Sequence, residues 1–365
     1  MRFSLQREVL LKSLSQVVNV IERRQTLPVL SNLLVQVQEN QIYLTGTDLE
    51  VEMVARCEAQ ETENGETTIP ARKFFDIVRA LPDGSTVRIA QHGDKVEVRA
   101  GKSRFSLMSL PARDFPAIEE MDANEQIQIA EAGLKELIER TAFSMAQQDV
   151  RYYLNGLLFD FRENDLRCVA TDGHRLALCE TQLESTGNKR KIIVPRKGVQ
   201  ELQRLLEGGD RTISLEIGRS HIRIKRDDVT FTSKLIDGNF PDYEAVIPIG
   251  ADKKITVDRE ALRAALDRTK ILSNEKYRGV RVEISPNLLK VQSNNPEQEE
   301  AQDEVEAETS VSGLAIGFNV NYLLDALGAL RDEKVVISMR DANSSALVQE
   351  ASNDRSRHVV MPLRL

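Results

Sequence analysis

The stretch Thr171-Asp172-Gly173-His174-Arg175 holds the residue types of this 365-residue chain best suited to chemistry. An Asp and a His could pair as acid and base, with Thr171 as nucleophile, which would make a hydrolase. Residues i and i+2 of a turn point in different directions, however, and no second histidine lies within 40 residues on either side. Thr47-Asp48 occupies the same place 124 residues earlier without a histidine, so the turn is structural first and a polar binding rim second. His92, His221 and His358 stand in no metal-ligand spacing, and no phosphate loop, GxGxxG, HExxH or GxSxG is present. The run 297–308 has seven acids and no base, but it lacks the glycine and ligand spacing of a calcium loop. No metal or cofactor is expected. A hydrolase using Asp172 and His174 remains the alternative reading, and it lacks a nucleophile or metal.

Two other stretches could bind rather than react. Arg151-Tyr152-Tyr153 is unusual in a chain that is 5% aromatic and has no tryptophan. Adjacent aromatics on a strand face opposite ways, so one belongs to the core and the other is free to stack on a base or bond a phosphate. The C-terminus, Val359-Val360-Met361-Pro362-Leu363-Arg364-Leu365, is apolar to its end and is expected to be tied down beside a groove. The net charge of −8 speaks against nucleic acid until its distribution is seen. Six expected helices, 7–24, 71–81, 134–151, 196–207, 259–276 and 319–334, together carry +6, so the rest carries −14. Positive helices in an acidic shell attract a polyanion on one surface only. Three scattered cysteines, Cys57, Cys168 and Cys179, fit a reducing cytoplasm, and no run of 18 apolar residues could span a membrane.

The elements that must position these residues recur three times. Leu33, Val35, Val37, Asn40, Ile42 and Leu44 alternate as strand, turn and strand. The pattern returns as Leu157, Phe159, Phe161, Asn164, Leu166 and Cys168, then as Val280, Val282, Ile284, Asn287, Leu289 and Val291. Asparagine at each reversal tolerates the left-handed backbone of a tight turn. Helical stripes keep nearly the same offset: Phe75, Val78 and Leu81 after Pro70, Val199, Leu202 and Leu205 after Pro195, and Leu324, Leu327 and Leu330. Leu10 and Leu14, Leu134 and Ile138, and Leu262 and Leu266 form a further set. A period this long is a whole domain. The expected domains are 1–124, 125–250 and 251–365, with polar linkers at Met121–Gln126 and Pro248–Lys254. In the first, strands near 2–5, 33–37, 41–45, 50–56, 66–69, 86–90, 94–99 and 103–108 accompany two helices. This is an α+β layer structure whose repeated order suggests that each domain is itself duplicated.

Taken together, LTGTDLE (44–50), PARKFFDI (70–77), QDVRYYLNG (148–156), VATDGHRLA (169–177), FTSKLIDGNFPDY (231–243), GFNVNYLLD (317–325) and VVMPLRL (359–365) resemble the bacterial DNA polymerase III beta subunits, the sliding-clamp family, over the full length. The resemblance implies the DNA clamp (processivity) fold, three repeated domains each with two inner helices and outer antiparallel sheets. It implies a head-to-tail homodimer whose six-domain ring encircles duplex DNA. Twelve helices at about 10 Å spacing leave a hole of roughly 28 Å, wide enough for a duplex.

By the same resemblance Arg24, Arg72, Gln148, Tyr152 and Tyr153 touch DNA. Phe105 and Leu107 pack on Ile271 and Leu272 of the other subunit, with Lys73, Glu297, Glu299 and Glu300 as charged partners. A partner-peptide pocket uses Arg151, Leu154, Thr171, Gly173, His174, Arg175, Leu176, Pro241, Val246, Asn319, Tyr322, Ser345, Val359, Val360, Met361, Pro362, Leu363 and Arg364. Ala245, where a basic residue is common, and Asn343, where an apolar one is, depart from the family pattern at its rim. The implied partners are double-stranded DNA, the clamp loader, and replicative and translesion polymerases and repair proteins that carry short linear peptides. The implied role is a non-catalytic, cytoplasmic processivity subunit without cofactor or membrane contact. A protein scaffold that ignores DNA is a third reading, opposed by the positive helices.

Overall fold

The computed structural model describes residues 1–22, 27–116, 121, 125–183 and 189–364. Among them, helices pack on antiparallel sheet, as the α+β reading expects. The helices are α1 (Arg7–Val17), α2 (Ala71–Ala80), α3 (Glu131–Glu139), α4 (Arg196–Leu205), α5 (Arg259–Lys270) and α6 (Val320–Ala329). Each starts on the residue after a strand ends. Pro70 closes the strand before α2 and Pro195 the one before α4, where fixed φ and the missing N–H suit a helix start. Asp258 caps α5 by accepting from Ala261 N at 2.7 Å, and Asn319 caps α6 by accepting from Asn321 N at 2.9 Å.

The helices are shorter than their apolar stripes. Val18, Val20 and Ile21 are buried beyond the end of α1, so the stripe over 7–24 records burial and not helix. The helix expected over 134–151 ends at Glu139. Two 3-10 turns follow, Ala142–Ser144 and Tyr152–Leu154. There the Arg196 guanidinium holds the carbonyls of Met145 and Ala146, which a longer helix would have used. Likewise α5 stops at Lys270, where Thr269 returns its hydroxyl to Ala265 O at 2.9 Å, and α6 stops at Ala329. Strand Gln60–Glu63 is additional: its sequence, QETE, carries no apolar alternation to signal it. The linker estimates also ran long, since Glu125 and Lys253 each open a strand. At the strand reversals only Asn287 takes positive φ, at 61°, whereas in the first repeat Glu39 does, at 54°.

Two compact units result, residues 1–131 with 200–235, and residues 132–199 with 236–365. The first holds a five-stranded sheet, in order 60–63, 2–6, 86–92, 95–100, 103–108. It also holds an eight-stranded sheet, in order 125–130, 212–217, 221–226, 229–234, 51–58, 41–47, 32–38, 65–70. The second holds one twelve-stranded sheet, in order 190–195, 156–161, 165–171, 175–182, 356–360, 346–350, 334–339, 253–258, 300–308, 288–294, 279–285, 314–319. Each unit therefore joins two repeats through one antiparallel strand pair. In the first, Val229, Phe231 and Ser233 face Ala55, Met53 and Val51. In the second, Ser356, His358 and Val360 face Cys179, Ala177 and Arg175. Counted from the start of each repeat, these are the same strands in the same register.

Charge is buried beside the second joint. Arg140, at the end of α3, lies 3.0 Å from Glu350 and 2.9 Å from Glu136, and the Arg140 and Glu350 side chains are 6% and 2% exposed. Burial pushes the Glu350 carboxyl up, but the Arg331 N–H, Asn353 and Arg140 more than offset it and hold it below the usual range. Removing one member strands a buried charge, which costs about 3–5 kcal/mol. Arg140→Ala should therefore lower unfolding free energy in urea by about that amount, and a loss below about 1 kcal/mol would show the pair to be unimportant. Because the Glu350 pKa is depressed, its contribution is present above the ordinary carboxylate range and fades as pH falls through the folded value. Glu350→Gln should flatten that acid limb.

Candidate functional site

The turn at 171–175 is built by its own side chains. The Thr171 hydroxyl donates to Arg175 O at 2.6 Å and accepts from Gly173 N at 3.1 Å. Asp172 Oδ1 accepts from the backbone of His174 and Arg175 at 2.9 and 3.1 Å, and its Oδ2 takes Arg175 Nε at 3.1 Å. Thr47 and Asp48 make the same bonds, to Val51 O, Leu49 N, Glu50 N and Val51 N. The threonine proton and both aspartate oxygens are thus committed to holding a turn, and none is shared with the His174 ring. The acid–base arrangement of a hydrolase is not assembled here.

Arg175 fixes this turn to the third repeat. Its Nη1 donates to Asp325 of α6 and its Nη2 to Phe143 O at 2.8 Å. Its guanidinium lies 4.5 Å from the Tyr322 ring centre and 5.5 Å from that of Phe143. Arg151 forms a two-pronged bond to Asp149, at 3.0 and 2.8 Å, and reaches Asp172 O at 3.3 Å. Gly173 has φ +89°, and a Cβ there would stand 3.0 Å from Arg151 Nη2, so glycine lets the arginine lie across the turn. The chain end closes the other side. Val360 is the last residue of its strand, Met361 N donates to His174 O at 3.0 Å, and Leu363 N donates to Gly317 O at 2.7 Å. The tail is tied down, as its composition implied.

Beneath the turn lies an apolar cluster of Leu158, Val169, Leu176, Leu178, Ile193, Tyr243, Leu347 and Val359, with Tyr153, Phe240, Val246 and Ile247 packed on it. Of the expected pocket residues, Leu154, Leu176, Val359 and Val360 are buried. Thr171, Gly173, Arg175, Val246, Asn319, Tyr322, Ser345, Pro362 and Leu363 are half-buried, and Arg151, His174, Pro241, Met361 and Arg364 are exposed. Ala245 lies in a 3-10 turn, and Asn343 N donates to Asp341, both exposed. Phe143, Asp149, Tyr243, Ile247 and Asp325 belong to the site and were not singled out. Asp149 was legible, standing two residues before Arg151.

The expected DNA residues divide. Tyr152 is 56% exposed, while Tyr153 packs on the apolar cluster. Tyr153 is thus half-buried and not core, and Tyr152 stands edge-on to it with ring centres 5.8 Å apart, on a 3-10 turn and not on a strand. Gln148 is exposed with φ +53°. Arg72 is exposed and donates to Ile21 O at 3.3 Å, a weaker version of the bonds Arg196 makes. Arg24 lies outside the described residues. Of the expected seam residues, Lys73, Glu297, Glu299, Glu300 and Ile271 are exposed, with Ile271 at 76%, while Phe105, Leu107 and Leu272 are half-buried.

Sequence profiles described as the N-terminal, central and C-terminal domains of the DNA polymerase III beta subunit match residues 1–119, 128–242 and 244–364. The chain belongs to the DNA polymerase III beta subunit family. It is 54% identical over 367 residues to the beta sliding clamp of Pseudomonas putida and 49% identical over 366 residues to that of Escherichia coli, covering 100% of each chain. The crystal structure of a DnaN sliding clamp from Pseudomonas aeruginosa bound to griselimycin superposes with a TM-score of 0.97 at 54% identity, covering 100% of both chains. A Caulobacter crescentus beta sliding clamp superposes with a TM-score of 0.96 at 37% identity, again over 100% of both. The fold is the three-domain α+β DNA clamp, and beta subunits are non-catalytic processivity factors of DNA polymerase III. Among the described residues, no helix is long and apolar enough to cross a membrane.

The site makes one titration prediction. The Arg151 side chain and N–H hold the Asp149 carboxyl down at about 2. Its contribution to stability is therefore fully present above the ordinary carboxylate range and is lost progressively as pH falls from there through about 2. Carboxyl NMR should show this low midpoint in the native chain and a rise toward about 4 in Arg151→Ala. An unchanged midpoint in the variant would mean Arg151 is not the cause.

Proposed function

We propose that two copies of this chain close head to tail into a ring of six clamp domains, 1–124, 125–250 and 251–365 in each copy, around duplex DNA. The repeat itself supports this. Both internal joints pair one strand type with another in a fixed register. In that frame 103–108 is the first-repeat counterpart of 229–234 and 356–360, and 299–303 is the third-repeat counterpart of 51–55 and 175–179. Strand 103–108 pairs on one side only, with 95–100, and strand 300–308 is open beyond its short pairing at Thr256 and Val257. An open strand edge is a template for another chain. The shared register sets Ser103 against Asp303, Phe105 against Ala301 and Leu107 against Glu299. Stacked Phe143 and His358, with ring centres 5.7 Å apart at the second joint, become Ile271 and Phe105 at this seam. Burying an exposed Ile is worth about 1.5–3 kcal/mol. The edge 95–104 carries four bases and one acid, opposite the seven acids of 297–308.

Such a ring binds by topology. Arg24, Arg72, Gln148, Tyr152 and Tyr153 would make weak, sequence-independent contacts that allow sliding. The groove around Leu176, Val246 and Val360, rimmed by His174 and Arg175, suits short peptides with Gln, Leu and Phe anchors from the clamp loader, from replicative and translesion polymerases and from repair proteins. The Caulobacter crescentus clamp is described with polyethylene glycol at a proposed beta-motif tethering region. We place the assembly in the cytoplasm.

The seam register is testable by cross-linking. Opposed residues in such a pair lie within disulfide reach. A chain carrying Ser103→Cys and Asp303→Cys should form on oxidation a covalent dimer of two 41.1 kDa chains. Ser103→Cys with Glu304→Cys, one residue out of register, should stay monomeric on a denaturing gel. Equal cross-linking of both would overturn the register, and no cross-linking of either would overturn the seam. For the groove, removing residues 361–365 should abolish binding of an anchor peptide, expected near micromolar or about −8 kcal/mol, while leaving the dimer. Unchanged affinity by calorimetry would put the peptide elsewhere.

A further inference from the structure

Two of the three cysteines face each other inside the central repeat. Cys168, on strand Asp165–Thr171, is the direct antiparallel partner of Cys179, on strand Arg175–Gln182. Directly opposed residues project to the same face, with Cα atoms about 5.5 Å or less apart, which is disulfide range. Both are free and buried. The fold does not require sulfur there. The same paired positions hold Leu44 and Ala55 in the first repeat, and Val291 and Asp303 in the third.

The surroundings distinguish the two thiols. Cys179 faces Ser356, which carries a hydroxyl, across the joint between repeats. The same hydroxyl lies 3.0 Å from His358 Nε2. His358 is buried and stacked on Phe143, and its Nδ1 has no hydrogen-bond partner among the described residues. Burial, with Arg140 nearby, pushes the His358 imidazole down to about 3, so the ring stays neutral and takes no proton from Cys179. Burial pushes the Cys179 thiol up to about 11, with Arg140 opposing the rise and Glu136 adding to it. Cys168 is fully buried, which pushes its thiol well above the ordinary value, whereas Cys179 is 4% exposed.

We propose that Cys168 and Cys179 form a dithiol–disulfide site, closed by a small neutral oxidant such as hydrogen peroxide, with Cys179 the attacking sulfur and Cys168 the resolving one. The Cys179 sulfur attacks one peroxide oxygen and gives up its proton to the oxygen that departs. The O–O bond breaks, and the departing oxygen leaves as water with the thiol's proton, leaving a sulfenic acid. The Cys168 sulfur attacks that sulfur, the S–O bond breaks, and the hydroxyl leaves with the Cys168 proton as a second water. The thiol pair loses two electrons in all and peroxide gains them. The product staples the hairpin whose turn carries Asp172 and His174, and thiol reductants reopen it.

The intact native protein is treated with hydrogen peroxide and quenched, and its thiols are counted in denaturant. Three thiols should fall to one, with Cys57 retained. The mass should drop by two hydrogens, a linked peptide pair should contain Cys168 and Cys179, and dithiothreitol should restore all three. The other repeats supply tolerated replacements. Cys168→Val should stop at a sulfenic acid on Cys179 that dimedone captures, and Cys179→Ala should leave Cys168 a thiol. The proposal fails if all three thiols survive conditions that oxidise the urea-unfolded chain. It fails equally if Cys57 reacts first, or if dimedone labels Cys168 and not Cys179 in the single variants.

Discussion

Everything in this chain hangs on one antiparallel strand pair used twice in one register. It joins repeat one to repeat two through Phe231 and Met53, and repeat two to repeat three through His358 and Ala177. Backbone pairing of this kind is directional and cannot slip by one residue without turning every side chain to the wrong face. Three repeats joined twice leave one donor edge and one acceptor edge unsatisfied, at opposite ends of the chain. In the ring we propose, a second copy fills both edges, and the long acidic run 297–308 lies along the open edge of the last repeat.

The repeats share a scaffold but not their side chains. Leu49 takes φ +79° where Gly173 takes +89°, and both turns are built by the same Thr and Asp bonds. In the second repeat an arginine lies across the turn, and a Cβ on Gly173 would stand 3.0 Å from Arg151 Nη2, so the guanidinium would have to shift. Only the second joint carries the Arg175 guanidinium between Tyr322 and Phe143, and the chain end pinned to His174 O and Gly317 O. The groove we propose for partner peptides thus arises at one joint by local substitution on a common frame.

Much of this was legible. Period-2 alternation located the strand pairs of all three repeats, because one face of each is fully buried. Helix starts were legible from Pro70 and Pro195, but helix ends were not. The stripe through Val20 and Ile21 continued into buried turns, and Arg196 captured carbonyls that no local rule assigns. In the groove, residues of the turn and tail stood out by composition. Asp325 and Phe143 did not, because their roles exist only once Arg175 reaches them across the sheet. The same holds for Cys168 and Cys179, whose opposition depends on hairpin register and not on sequence spacing.

A closed ring holds DNA by enclosing it. The direct measurement loads the dimer onto a nicked circular plasmid, raises the salt, and then linearises the DNA. Screening weakens phosphate contacts but leaves a closed ring threaded. The account predicts retention on the circle through moderate salt and rapid loss from the ends once the circle is cut. Equal retention on circular and linear DNA, or release from the circle by salt alone, would contradict it.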